Sequence, residues 1–253
     1  MAIALRTVAE SDDNVEEHNN SGQERFSVQS ASTYAWSPVN LSTLSPKQLE
    51  CLLLPHLPES HEGGYYEVPD IDVRCQLLNE LGRGILDKHN GSALHMIAQA
   101  NQSADALVQI ILDTFPGFRD FVDENGDSKS SEWEAAKKSS NTVYFYKRAQ
   151  IAVADLWAAL GRCHAESCTE MLNTDSSRLL SCCQFKDMST ITTFPDYRVP
   201  QILRHVNVME YDHGLAQKVD QLVELDKGCA DEVSIRGVFV ILTFTGSICL
   251  IVV

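Results

Sequence analysis

The chain has 253 residues, 44% of them hydrophobic, which is enough to bury a real core in one large domain or two small ones. With 20 Lys and Arg against 35 Asp and Glu, its formal charge of -15 repels phosphate backbones and argues against a nucleic-acid-binding surface. A small ligand held by one local basic cluster is still compatible with that charge.

Residues 1 to 30 are polar and acidic, with the run Asp12-Asp13-Asn14-Val15-Glu16-Glu17 and no sustained apolar periodicity, and they read as disordered. The first clear helix start is Ser45-Pro46-Lys47-Gln48: Ser45 is the N-cap, Pro46 fills the first helical position and Gln48 completes a capping box. Leu49, Leu52 and Leu53 supply its buried stripe, and Pro55 stops it. After the loop Ser60 to Gly64, a long helix is predicted from about Asp70, with Val73, Leu77, Leu78, Leu81, Ile85 and Leu86 inside and Lys88, Asn90 and Gly91 closing it. Ser92 and Ser103 start two further helices, the second burying Leu107, Val108, Ile111 and Leu112 and ending at Phe115-Pro116.

A polar insert near 122–142 reads as a surface loop. Beyond Tyr144 a central, mostly buried helix is expected, with Ala149, Val153, Leu156 and Leu160 on its apolar face. A second polar insert near 163–184 reads as another loop. Ile202, Leu203, Val206 and Met209, and then Leu215, Val219, Leu222 and Val223, give two more helical stretches up to Lys227-Gly228. With no strand series of comparable strength, the class is all-α.

The tail from Gly237 to Val253 is strongly apolar but shorter than the ~20 residues that span a bilayer comfortably. It reads as a marginal tail anchor, a buried strand, or sequence foreign to the rest of the domain. The eight cysteines form no CxxC pair and follow no secretory h-region, so reduced thiols and a cytoplasmic location are expected. Cys163, His164, Cys168, Cys182 and Cys183 are too irregularly spaced for a zinc site, and no metal is expected.

Two stretches could carry chemistry. In Phe194-Pro195-Asp196-Tyr197-Arg198-Val199-Pro200-Gln201 a carboxylate sits among aromatic rings on a backbone restricted by two prolines, where it could stabilise a developing cation; an Asp before a helix is equally a preferred N-cap. Lys147 and Arg148 lie in the first turn of a helix, where the macrodipole disfavours cations by roughly 0.3 to 1 kcal/mol. An anion docked there would offset that cost through free N–H groups, the two cations and the Tyr144 and Tyr146 hydroxyls; the plainer reading is a solvated basic pair bound to neighbouring carboxylates.

Phe145-Tyr146-Lys147-Arg148-Ala149-Gln150-Ile151 and the Phe194 to Gln201 stretch, together with Leu78-Asn79-Glu80-Leu81-Gly82-Arg83, Phe115-Pro116-Gly117-Phe118-Arg119-Asp120 and Ala152-Val153-Ala154-Asp155-Leu156-Trp157, resemble the queuosine salvage protein family, the queuosine 5′-phosphate N-glycosylases. The resemblance covers residues 31–237 and treats 238–253 as outside the ancestral domain. It implies a helical domain similar to helix-hairpin-helix DNA glycosylases, hydrolysis of the bond joining queuine to ribose 5-phosphate for salvage into tRNA modification, a small nucleotide as partner and no cofactor. On that likeness Phe194 stacks on the deazapurine and Asp196 serves the sugar, while Tyr146, Lys147 and Arg148 are the candidate substrate-binding residues. The family's N-terminal histidine segment has no match before Ala31, and its terminal tyrosine- and aspartate-rich motif has none after Gly237. The alternative expectation is therefore a truncated, catalytically inactive homologue of the same fold, tethered by its tail.

Overall fold

A serine just ahead of an apolar run starts helix after helix in this chain, because its hydroxyl accepts one of the N–H bonds that the first turn leaves open. The structure is a computed structural model that describes residues 36–53, 67–123, 142–162, 174–194, 196, 198–245 and 251–252. The expected disorder of 1–30, the loop Ser60 to Gly64, most of the first insert and the first part of the second lie outside the described residues.

Helix dominates. The elements are α1 Pro38–Thr43, α2 Pro46–Leu53, α3 Ile71–Lys88, α4 Ala93–Gln99, α5 Ala104–Thr114, β1 Phe121–Val122, β2 Val143–Tyr144, α6 Lys147–Leu156 with a π turn Trp157–Gly161, α7 Thr174–Cys182, α8 Arg198–His205, β3 Met209–Glu210, α9 His213–Asp220, α10 Ala230–Thr245 and β4 Ile251–Val252. Short 3-10 turns lie at Pro116–Phe118 and Met188–Thr190. The all-α expectation holds, the strands being only two residues long. Among the described residues no helix is long and apolar enough to cross a membrane. The chain divides into two compact units, Met1–Gln102 with Leu156–Gln184, and Ser103–Asp155 with Phe185–Val253.

In the first unit the capping box forms as predicted: Gln48 N–H donates to Ser45 Oγ (3.3 Å) and Ser45 N–H donates to Gln48 Oε1 (2.9 Å). The buried face of α3 matches the expected one in part: Ile85 is buried and Leu78 and Leu81 pack against the core. Val73 and Leu77 are 54% and 37% exposed, while Cys75, Gly82, Gly84 and Ile85 are buried. The reason is the close approach of α1: a Cβ at Gly82 would lie 2.6 Å from the Pro38 carbonyl oxygen. The carbonyls that end α1 then need donors, and Asn79 Nδ2 supplies them to Leu41 and Leu44, both at 2.9 Å. The Leu78 to Arg83 stretch is thus a helix-crossing device. Residues 174–182, expected as loop, are helical as α7, and Cys183 behind it is fully buried, its thiol pushed up to about 12 by burial and by Cys182.

In the second unit α5 buries Leu107, Val108, Ile111 and Leu112 as predicted. β1 and β2 pair antiparallel, Phe121 opposite Tyr144 and Val122 opposite Val143. In α6, Ala149 and Val153 are fully buried. A second core joins Met209, Tyr211, Leu215, Ile235 and Phe239. The helical stretch predicted through Met209 stops at His205, because Asn207 turns left-handed (φ 58) and sends Met209 into β3, parallel to β4. Ile202 and Val206, read as part of that helical rhythm, are 60% and 54% exposed. In the same way α9 ends at Asp220, and Leu222 (φ 57) is 90% exposed.

Asp187 caps α5 from outside the helix, accepting from Ser103 Oγ and Ala104 N–H, both at 2.6 Å. Partial desolvation pushes its pKa up, but the hydrogen bonds from Ser103, Ala104 and Asp105 outweigh it and leave the carboxyl below its usual value. A carboxyl with a lowered folded-state value stabilises the fold above the unfolded value of ~3.9 and loses that contribution as pH falls through the lowered value. Asp187→Asn is therefore expected to unfold at lower urea than wild type at pH 7, with the gap closing towards pH 3, as read from urea midpoints across that range.

Candidate active site

The start of α6 is built by one residue from a different part of the chain. Tyr146 adopts a left-handed backbone (φ 52), which costs a non-glycine residue on the order of 1–2 kcal/mol. It is held there because the Asp120 carbonyl accepts from both Phe145 N–H (2.9 Å) and Tyr146 N–H (3.2 Å), while Asp120 Oδ2 accepts from Lys147 N–H (3.3 Å). Asp120 thereby caps α6. Arg236 on α10 donates Nη2 to the same oxygen, gives Nη1 to Glu232 Oε1 at 3.0 Å, and lays its guanidinium 3.9 Å over the Phe145 ring. Its side chain is 11% exposed.

Gln150, one turn into α6 and buried, ties the same segment to a second one. Its Nε2 donates to the Phe145 carbonyl (3.0 Å), and its Oε1 accepts from Thr192 N–H (2.7 Å) and Thr192 Oγ1 (3.1 Å). Two residues beyond Thr192 comes half-buried Phe194, and then Asp196. Asp196 Oδ2 accepts from Lys147 Nζ at 2.8 Å, and its Oδ1 accepts from Arg198 N–H (3.4 Å) at the start of α8. One oxygen of this carboxylate thus bonds the first N–H of α8, and the other pairs with Lys147. The pair is half-buried, with side chains 27% and 30% exposed.

Lys147 and Asp196, both singled out from the sequence, thus come together. Arg148 donates Nη1 to the Gly117 carbonyl at 3.2 Å on the exposed side. Tyr146 lines a cavity of about 400 Å³ whose wall also includes Asp105, Gln109, Tyr144, Thr190 and Val240. Burial pushes the Tyr146 phenol well above its ordinary value, with Tyr144, Asp113 and Asp105 adding to it. Phe194 and Asp196 are not part of that cavity's wall. Asp120, Gln150 and Arg236 were not given roles from sequence, although the first two lie in stretches that carry the family resemblance; the signal for Asp120 is an acidic residue ending the Phe115 to Asp120 stretch.

Removing the Asp120 carboxylate leaves Arg236 half paired and an open N–H at the start of α6. Asp120→Ala is expected to cost about 2–3 kcal/mol by urea denaturation, and the loss should shrink in the Asp120→Ala, Arg236→Met double variant, where no partner is left stranded.

A family model described as queuosine salvage protein matches residues 30–243. The chain is 33% identical over 171 residues to a Bos taurus protein named queuosine 5′-phosphate N-glycosylase/hydrolase, covering 67% of this chain and 41% of that one. Proteins of the same name from Dictyostelium discoideum and Sphaerobacter thermophilus are 34% and 33% identical over 71% and 69% of this chain, and 46% and 45% of theirs. The chain therefore spans less than half the length of these relatives. The residues that the family model matches include Asp120, Lys147, Phe194 and Asp196, and the chain belongs to the queuosine salvage protein family.

Proposed function

We propose that this chain hydrolyses the N-glycosidic bond of queuosine 5′-phosphate, releasing queuine and ribose 5-phosphate. The observation that carries this reading is the Asp196 carboxylate, held half-buried by Lys147 Nζ on one oxygen and by Arg198 N–H on the other. The reaction breaks the bond between the sugar C1′ and the base nitrogen; water supplies a hydroxyl to C1′ and a proton to the base. Positive charge grows on the sugar ring as the bond lengthens, and a fixed carboxylate at that ring stabilises it more in the transition state than in the ground state. Asp196 also accepts the proton of the attacking water as the C1′–O bond forms.

Phe194, half-buried two residues before the carboxylate, offers the ring on which the base stacks. Lys147 has two roles in sequence. Before substrate enters it neutralises Asp196; with substrate bound its ammonium moves to the 5′-phosphate, the stronger anion, and Asp196 is left facing the sugar alone. Arg148 is less suited to that task, being spent on the Gly117 carbonyl.

The purified chain should release free queuine from queuosine 5′-phosphate. Asp196→Asn, which keeps an oxygen for Arg198 N–H, should retain its helical circular dichroism yet lose turnover by at least about 100-fold. The dephosphorylated nucleoside should react more slowly than the nucleotide, and Lys147→Met should narrow that difference. A wild-type chain that releases no queuine, or an Asp196→Asn chain that releases it at the wild-type rate, rules the reading out.

A further inference from the structure

We propose that Gln150 is the positioning residue of the candidate site: through one planar amide it sets where the segment bearing Asp196 lies relative to the helix start bearing Lys147. The inference rests on the function proposed for Asp196 and goes beyond it, since Gln150 is argued to act only through that carboxylate.

Gln150 is 7% exposed, and its carboxamide makes three hydrogen bonds, to the Phe145 carbonyl, the Thr192 N–H and the Thr192 hydroxyl. All three join backbone or hydroxyl groups of the two segments that meet at the ion pair. Phe145 stands two residues before Lys147, and Thr192 two before Phe194 and four before Asp196. The amide is rigid and of fixed length, so the spacing between the segments is set by a covalent plane.

The Lys147–Asp196 contact cannot set that spacing by itself. A lysine ammonium on a four-carbon stem follows its partner over several ångströms at little cost, and this one is partly exposed to water. The Arg198 N–H bond orients the carboxylate within its own turn and says nothing of α6. A tie between this segment and α6 that does not run through the ion pair is that of Gln150 with Thr192. The requirement is chemically narrow: one side chain must accept from Thr192 and donate to Phe145 in one plane. Methionine does neither, and an ionised glutamate accepts but turns an oxygen against the Phe145 carbonyl.

Displacing a reacting group by about 1 Å costs on the order of 100-fold in rate without weakening uniform binding. In Gln150→Met and Gln150→Glu, kcat for queuine release is therefore expected to fall about 100-fold while KM changes less than about threefold. Hydrogen exchange supplies a readout that does not need activity. The Thr192 amide should exchange at least tenfold faster in both variants, with the amides of α5 unchanged. If wild type turns over and either folded variant keeps kcat within twofold of it, the proposal is overturned. A loss confined to KM, or faster exchange throughout α5 in both variants, also overturns it and makes Gln150 an ordinary core residue. If wild type releases no queuine, the proposed function fails, and unchanged Thr192 exchange would then reject the clamp as well, whereas selective loss of protection would keep it.

Discussion

The candidate site hangs on Asp120. Its carbonyl accepts two N–H bonds from the turn that starts α6, and its carboxylate takes a third from Lys147 together with the Arg236 guanidinium. A single residue thus offsets three separate costs: the left-handed backbone at Tyr146, the open N–H groups of a helix start, and the partial burial of an arginine. Because Arg236 also covers the Phe145 ring, the polar and apolar sides of the turn are fixed by the same contact. Without it Lys147 would have no defined direction, and Asp196 no defined counter-ion.

The second constraint is that several cations among the described residues are engaged by carboxylates. Lys147 faces Asp196, Arg236 bridges Asp120 and Glu232, Arg204 forks onto Asp220 while lying over the Tyr211 ring, and Lys218 meets Asp231. Most such pairs at an exposed surface contribute little to stability. Their effect is on where positive charge is left for a ligand. An anion docking beside Lys147 would have to compete with the Asp196 carboxylate for its ammonium.

Much of the fold was legible in the sequence where the signal was local. The serine caps at Ser45, Ser92 and Ser103, and the apolar stripe of α5, form as read, because a cap and a stripe depend on residues three or four apart. The buried face of α3 was legible only in part, at Leu78, Leu81 and Ile85. It is chosen by α1, which demands glycine at Gly82 and a donor at Asn79, and a count of large apolar residues cannot see either demand. Premature ends of α8 and α9 follow from left-handed turns at Asn207 and Leu222 that an apolar rhythm does not report. At the site, Asp196 and Lys147 were identifiable one at a time, but their pairing spans 49 residues and that of Asp120 with Arg236 spans 116, so only the folded chain brings them together.

The small hairpin of β1 and β2 fixes both ends of the stretch between Val122 and Val143 before either Asp120 or Lys147 can feel what lies in it. Closing a longer loop at pinned ends costs entropy that grows only with the logarithm of its length. Chain added between the two strands therefore costs the closed ends little, and the pairing that precedes the site does not depend on it.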